Sequence, residues 1–276
     1  MKRILFFETP TFTGATRVTR TIAKKVSGHF EARTAVITNC GAQEKEIKKA
    51  IKEEQPNILF SSFTTINSDV IEVGKEFFLT VVVRQDYKLN DVEPAAKQRI
   101  IETYPKADWI IAQTLEMKQE LLQSVPGINS KSIKVIENPL DEEDILIKAS
   151  EPNPFPDNGN FHFLWVGRKD PIKDLPTLQK AFEIVHSDYP DTDLTLIYDE
   201  PNPYKWMKNA DCLVISSISE ASPNVLKEAM FLGTKVVSTD CSSSVIQLLS
   251  AKQICMILDP KDMAEKMAEV YKESNN

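Results

Sequence analysis

The segment Glu151-Pro152-Asn153-Pro154-Phe155-Pro156-Asp157-Asn158-Gly159 decides how the chain is organised. Three alternating prolines remove the backbone donors that a helix or a central strand needs, so regular structure must stop there. The same alternating pattern runs on both sides of it. Upstream, short apolar and β-branched runs at 3–8, 32–38, 57–61, 78–84, 109–113 and 133–137 read as strands, with helical stretches such as 15–27, 43–54 and 115–124 between them. Several of the runs are apolar throughout, as strands covered on both faces of a parallel sheet should be. Downstream the pattern restarts, with strands expected at 161–166, 193–198, 212–216, 234–238 and 254–258. Helices are expected at 175–187, 204–209, 223–232, 244–249 and 262–272. Strands alternating with helices imply doubly wound parallel sheets. The expected organisation is an α/β domain over 1–149, a Pro-rich linker over 150–160 and a smaller α/β domain over 161–276, with ligands taken in a cleft at the carboxyl ends of the strands.

The chain has 276 residues, of which 42% are hydrophobic and 26% charged, enough for two buried cores. With 33 Lys+Arg against 40 Asp+Glu the net charge is −7, and no basic block exceeds a Lys-Lys pair, which argues against nucleic acid as a partner. The apolar run Ile4-Leu5-Phe6-Phe7 stops at Glu8, too short for a signal segment, and no stretch approaches the length of a membrane span. The expectation is a cytoplasmic protein. Cys40, Cys212, Cys241 and Cys255 are far apart with no partnering His, so buried inert thiols are expected, not a zinc site or a disulfide framework. Glycine is scarce, eight residues in all. No GxGxxG, GxxxxGK[ST], HExxH or GxSxG occurs, which removes the usual entry points of dinucleotide oxidoreductases, P-loop NTPases, zincins and α/β-hydrolases.

Three segments carry candidate chemistry. Gly167-Arg168-Lys169-Asp170-Pro171-Ile172-Lys173 follows the strand at 161–166. A glycine there permits close backbone approach, and Arg168 and Lys173 could clamp a diphosphate, one as a planar fork and the other as a point charge; a solvated basic loop is the plainer reading. In Ser217-Ile218-Ser219-Glu220-Ala221-Ser222-Pro223-Asn224-Val225-Leu226-Lys227-Glu228-Ala229-Met230, Ser222 and Pro223 read as N-cap and N1 of a helix. The first amides of that helix, those of Asn224 and Val225 among them, form an anion site. Glu220 and Glu228 could flank a phosphate there and accept from sugar hydroxyls. On the helical wheel Val225, Leu226, Ala229, Met230 and Leu232 make the apolar stripe, with Glu228 at its border. The third segment, Thr11-Phe12-Thr13-Gly14-Ala15-Thr16-Arg17, follows the first strand, and its glycine suits either a ligand-facing turn or an ordinary helix start.

In order and spacing these segments resemble the retaining GT-B glycosyltransferases of family four, the glycosyl transferases group 1 type. Thr13-Gly14 with Arg17 stands where that family has a Gly-Gly turn, Gly167-Arg168…Lys173 matches its Gly-Arg…Lys segment, and Glu220…Glu228 matches its Glu-x7-Glu helix. Ala107-Asp108-Trp109-Ile110-Ile111-Ala112, Ile133-Lys134-Val135-Ile136-Glu137-Asn138-Pro139, Ala210-Asp211-Cys212-Leu213-Val214-Ile215-Ser216-Ser217 and Gly233-Thr234-Lys235-Val236-Val237-Ser238-Thr239-Asp240 support it along nearly the whole chain.

The resemblance implies that Arg168, Lys173 and Glu220 are the catalytic groups acting on a nucleotide-sugar donor, a UDP- or GDP-sugar, without a metal. Arg168 and Lys173 would hold the diphosphate beside Gly167 and the amides of Asn224, Val225 and Leu226. Glu228 would bind the ribose and Glu220 the sugar. Gly14 and Arg17 would lie on the side of a glycan, lipid-linked or protein acceptor. The implied activity is transfer of a hexose-like sugar with retention, as in polysaccharide biosynthesis; the alternative is a catalytically idle binding or assembly subunit. Peripheral contact with a membrane inner face would run through Arg17, Arg20, Lys24 and Lys25, for which a solvated helix face is the plainer reading.

The chain also departs from the family pattern. Asp174 follows Lys173 where Gly is usual, and Ala221-Ser222 follow Glu220 in place of Gly and an aromatic. Gln85 stands near the position of a cleft His, while His29, His162 and His186 lie in strand or helix contexts. Only eleven residues separate Tyr198 from Ala210, where the family has a further strand and helix, and the chain stops at Asn276. These departures imply a shortened form.

Overall fold

In the computed structural model, which describes residues 1–11, 13–38 and 42–275, the chain divides into two compact units, Met1–Pro139 and Leu140–Asn276. The first unit carries a six-stranded parallel sheet in the order β2-β1-β3-β4-β5-β6, with β1 Arg3–Glu8, β2 Glu31–Val36, β3 Ile58–Ser61, β4 Thr80–Arg84, β5 Trp109–Ala112 and β6 Ile133–Val135. Its helices are α1 Gly14–Val26, α2 Gln43–Glu54, α3 Thr64–Glu76, α4 Pro94–Thr103 and α5 Leu115–Ser124. In α3 the backbone comes so near the sheet that a Cβ on Gly74 would run into the Val81 side chain. One face of the sheet packs Ile4, Phe6 and Phe60 against Ile22, Ala23 and Val26 of α1. The apolar spacing of 18, 22 and 26 puts that stripe on one side of the helix.

The second unit has a five-stranded parallel sheet in the order β11-β10-β9-β7-β8, with β7 Phe161–Gly167, β8 Thr192–Tyr198, β9 Cys212–Ile215, β10 Lys235–Thr239 and β11 Ile254–Cys255. Around it lie α6 Glu142–Ala149, α7 Leu175–Asp188, α8 Tyr204–Asn209, α9 Asn224–Leu232, α10 Ser243–Leu248 and α11 Pro260–Ser274. One apolar cluster joins Leu164, Leu213, Leu226 and Val236, and another, on the other face, joins Phe163, Trp165, Leu178, Val214 and Met263. The alternation of residues 163, 164 and 165 between the two clusters is the period of two that puts successive side chains on opposite faces.

The units divide ahead of the Pro-rich segment. Helix α6, which the sequence reading did not single out and whose residues fell in the expected first domain, buries Ile145 and Ala149 with Tyr204 and Met207 of the second unit, and the Lys148 carbonyl accepts from Asn202 Nδ2 at 3.0 Å. The segment at 151–160 has no regular structure, as its prolines require, and it too is fixed to the second unit. Phe155 stacks on His162 at 4.5 Å and meets Trp206 edge-on at 5.2 Å. Asn158 and Asn160 both donate to Asp193 Oδ2.

Each sheet has one point where the strand order reverses, between β1 and β3 in the first and between β7 and β9 in the second. Loops leaving the carboxyl ends of such strands diverge and open a crevice, which is where open α/β sheets take ligands.

Candidate functional site

The two segments singled out in the second half of the sequence are the loops that leave β7 and β9, so the topology delivers both to the reversal point of the second sheet. After β7 comes Arg168, then a 3-10 turn Pro171–Lys173, then α7. Asp174 occupies the left-handed region at φ 45 and caps α7 by accepting from the Thr177 amide at 3.4 Å. Asp tolerates that conformation better than most residues, so it replaces the expected Gly there and adds a cap.

The two loops are tied together. The Ile218 amide donates to the Ile172 carbonyl at 2.8 Å, and Ser216 Oγ donates to the Lys173 carbonyl at 2.6 Å. The Glu220 amide donates to the Cys241 carbonyl at 3.0 Å, fixing the same loop to the end of β10. Lys173 Nζ donates to Glu220 Oε1, and Ser217 Oγ donates to that oxygen at 2.9 Å. Both side chains of this ion pair are 18% exposed, so the pair is open to a ligand yet partly screened from bulk water. Arg168 is 44% exposed with Nη2 3.5 Å from Asp170 Oδ2, a contact of the kind that contributes little by itself and is readily exchanged.

Gly167 has a packing role in the structure. A Cβ at that position would lie 2.8 Å from the Trp165 ring, so the missing side chain makes room for the tryptophan in the core.

Helix α9 begins at Asn224, one residue later than the Ser222-Pro223 signal implies. Pro223 holds the cap position with φ −67 and ψ 114, and no side-chain cap bond is made. The Leu226 amide reaches back to the Pro223 carbonyl at 3.2 Å, so of the three amides expected to face an anion this one is engaged in the turn. The amides of Asn224 and Val225 fall in the first turn, where no intrahelical acceptor exists.

Further along α9 the burial differs from the wheel. Leu226 and Ala229 are fully buried, Met230 is 41% exposed and Glu228 is 2% exposed. A carboxylate has taken the buried position and a methionine the exposed one. Burying a carboxylate is unfavourable without hydrogen bonds, and Tyr204 Oη donates one to Glu228 Oε1 at 3.2 Å. Tyr204 itself is 1% exposed, at the start of α8. Nothing local in the sequence pointed to it, because the contact joins residues 204 and 228 through the fold. It belongs to the eleven-residue stretch between Tyr198 and Ala210.

Gly14 and Arg17 lie in the first unit. Gly14 opens α1 under a capping box formed by Thr13 and Thr16, and the Arg17 amide donates to the Thr13 carbonyl at 3.0 Å. The neighbouring residue Phe12 lies outside the described residues. Of the basic residues on α1, Arg20 grips the buried Glu8 through both of its carboxylate oxygens, with Nη2 2.9 Å from Oε2.

Gln85 is 1% exposed and held at both ends of its amide. Its oxygen accepts from Tyr104 Oη and its nitrogen donates to the Tyr87 carbonyl at 3.0 Å. Two of the histidines make packing or hydrogen-bond contacts within the second unit. His162 stacks on Phe155, His186 Nδ1 lies 3.0 Å from the Thr192 carbonyl, and His29 falls in the turn after α1 rather than in a strand or helix. Cys212, Cys241 and Cys255 are buried, and burial pushes their thiols up to about 12, 11 and 12. Cys40 lies outside the described residues. Among the described residues no group of His, Cys, Asp and Glu converges as a metal site would, and no helix is long and apolar enough to cross a membrane.

Residues 137–273 match the family model of the glycosyl transferases group 1. That match spans nearly the whole of the second unit. An uncharacterised glycosyltransferase of Methanocaldococcus jannaschii is 28% identical over an alignment covering 74% of this chain and 60% of that protein. The chain thus spans well under the full length of this curated relative.

HepE from Anabaena, solved with UDP-glucose, superposes with a TM-score of 0.74 at 13% identity, over 100% of this chain and 91% of that one. Sucrose-phosphate synthase from Thermosynechococcus elongatus gives 0.77 at 11% identity with the same coverages. The fold, two parallel-sheet α/β units, is the GT-B fold of these structures.

Proposed function

We propose that the protein is a glycosyltransferase that takes a sugar from a nucleoside-diphosphate sugar and transfers it, with retention, to a carbohydrate, lipid-linked or protein acceptor. The observation that carries this reading is Glu228, a carboxylate buried on α9 and hydrogen-bonded by Tyr204, about one turn past the amides that open the helix. A site for a nucleotide sugar needs a hydroxyl acceptor and a phosphate cradle at this separation. Lys173, Arg168 and the first amides of α9 supply the cradle, and Glu220 stands paired with Lys173, ready to exchange that partner for sugar and phosphate.

In the reaction the bond from the anomeric carbon to the β-phosphate oxygen breaks, a bond to the acceptor oxygen forms, and the acceptor proton leaves with the departing phosphate. Negative charge grows on the leaving diphosphate. Cations and amides already aimed there stabilise that charge more in the transition state than in the ground state, and no metal is required for the effect. The bound UDP-glucose of HepE supports a uridine donor.

The test is a thermal-shift titration with UDP, GDP, ADP and CMP and their sugar conjugates, since a ligand at a hundred times its Kd adds about 2.7 kcal/mol of stability. A selective shift lost in Arg168→Ala supports the reading, and transfer by that variant and by Glu228→Gln should then fall by the equivalent of about 2–4 kcal/mol. Absence of any nucleotide shift overturns it. Gln85 favours a second reading, an idle subunit. Its amide, tied at both ends, cannot exchange a proton where the family has a histidine; nucleotide binding without transfer or hydrolysis would select that reading.

A further inference from the structure

Four strands end the two sheets, and three of them are guarded against further pairing. β2 carries Glu31 and Arg33, ion-paired to each other at 2.8 Å; β6 is three residues long with Lys134 at its centre, and β11 has two residues. Charge and shortness are what keep an open strand from taking a partner. β8 has neither. It runs seven residues, Thr192-Asp193-Leu194-Thr195-Leu196-Ile197-Tyr198, without a proline or a break in register. Its one charged side chain, Asp193, is occupied by Asn158 and Asn160.

The ladder to β7 fixes which main-chain groups look outward. At one end the Phe161 amide donates to the Asp191 carbonyl at 2.8 Å, and at the other the Asp199 amide donates to the Gly167 carbonyl at 3.4 Å. Alternation then turns residues 193, 195 and 197 toward β7 and leaves the amides and carbonyls of 192, 194, 196 and 198 on the open side. His186 Nδ1 of α7 lies 3.0 Å from the Thr192 carbonyl, whereas those groups of Leu194, Leu196 and Tyr198 have no partner among the described residues. Both faces of the strand are covered. Leu194, Leu196 and Tyr198 pack with the cluster that holds Phe163 and Trp165, and Ile197 with the cluster that holds Leu164. The strand is thus held from both sides and from β7, with its outer row of hydrogen bonds unmade.

We propose that β8 pairs antiparallel with β8 of a second copy of this chain, joining the two five-stranded sheets into one. The order of residues along the strand argues for a second copy as the occupant. A two-fold axis through Thr195, the middle residue, overlaps all seven positions. It sets Leu194 against Leu196, a pair that exchanges both main-chain bonds, Thr195 against Thr195, and Asp193 against Ile197. Leucine then meets leucine on one face, threonine meets threonine on the other, and the two Asp193 carboxylates stay apart. An axis through Leu196 would put Asp193 opposite Asp199, two like charges, and one through Leu194 would leave Ile197 and Tyr198 opposite residues that precede the strand. The pairing does not rest on the glycosyltransferase reading.

The experiment measures the mass of the full chain by light scattering after size exclusion, from low to high micromolar concentration. The unsubstituted chain should reach twice the chain mass. Thr195→Lys and Thr195→Glu each set like charges on the axis, and each should weaken the dimer about tenfold or more. An equimolar mixture of the two should dimerise again, because only this register brings position 195 to itself. Circular dichroism checks that both variants fold. Where they do not, Thr195→Cys in a Cys40→Ser background decides. Residues opposed at a non-hydrogen-bonded position have Cα atoms about 4.5 Å apart, within the reach of a disulfide, so mild oxidation should give a covalent dimer. A chain that is monomeric throughout, a dimer indifferent to both charged variants, a mixture that stays monomeric, or a cysteine variant that does not cross-link overturns the proposal.

Discussion

Position 228 shows what a helical wheel cannot decide. The pattern around α9 places residues 226, 229, 230 and 232 inside and 228 at the border, yet Glu228 is buried and Met230 is not. Hydrophobicity alone favours the opposite choice. The side chain that settles it, Tyr204, is distant in sequence and visible only once α8 is placed beside α9. Tyr204→Phe keeps the ring and removes the hydroxyl, leaving the carboxylate with one hydrogen bond fewer. A stability loss of about 1–3 kcal/mol in urea unfolding is expected, together with weaker nucleotide binding. The opposite partition is expected at Gly167, whose role the sequence suggested was ligand approach. Gly167→Ala forces the Trp165 ring to move and should cost about 1–3 kcal/mol of stability, while the nucleotide affinity of the folded protein stays nearly unchanged. Retained stability with lost affinity would instead place the glycine at the ligand.

Helix starts and loop exits were legible where a local rule decides them. The capped start of α1 at Thr13-Gly14, the strand that ends in Gly167 and the helix after Pro223 all follow from short-range chemistry. What was not legible is how the loops are tied to one another, since Ile218 to Ile172 and Glu220 to Cys241 join residues whose proximity exists only in the sheet. Asp174 is the informative exception. It stands where the sequence comparison led one to expect glycine, yet it both accepts the left-handed turn and caps α7. Asp174→Ala loses the cap and keeps the strained backbone, so it should cost about 1–2 kcal/mol of stability. Asp174→Gly relieves the backbone while losing the cap and should cost less. Urea midpoints of the two variants check the order, and a larger loss in the glycine variant would show that the backbone at 174 carries no strain.

For the molecule as a whole, alkaline pH probes the core of the second unit through its thiols. Cys212, Cys241 and Cys255 hold their protons to about 12, 11 and 12 in the fold, whereas an exposed thiol releases its proton near 9. Above that value the unfolded chain binds fewer protons than the native one, so stability must fall as pH rises. Each thiol contributes up to about 1.4 kcal/mol per pH unit until its folded value is reached. Urea midpoints at pH 8 and pH 10 measure the drop, and Cys212→Val should reduce it. The division of the chain is tested by where it can be cut. Alternating strands and helices made the two α/β halves readable, and three prolines made the irregular segment readable, but neither says which half owns α6. That depends on Ile145 and Ala149 finding Tyr204 and Met207, a packing preference that no local pattern encodes. A fragment over 140–276 should therefore fold and bind the same nucleotide as the full chain. A fragment over 150–276 lacks α6 and opens the core beside Tyr204. Loss of the Ile145 side chain alone is worth about 2–5 kcal/mol, a large part of the stability of a domain this size. Because Tyr204 also donates to Glu228, the shorter fragment should lose nucleotide affinity along with stability. Equal stability and equal affinity in the two fragments would show that α6 is an appendage, and that the domain begins at the prolines.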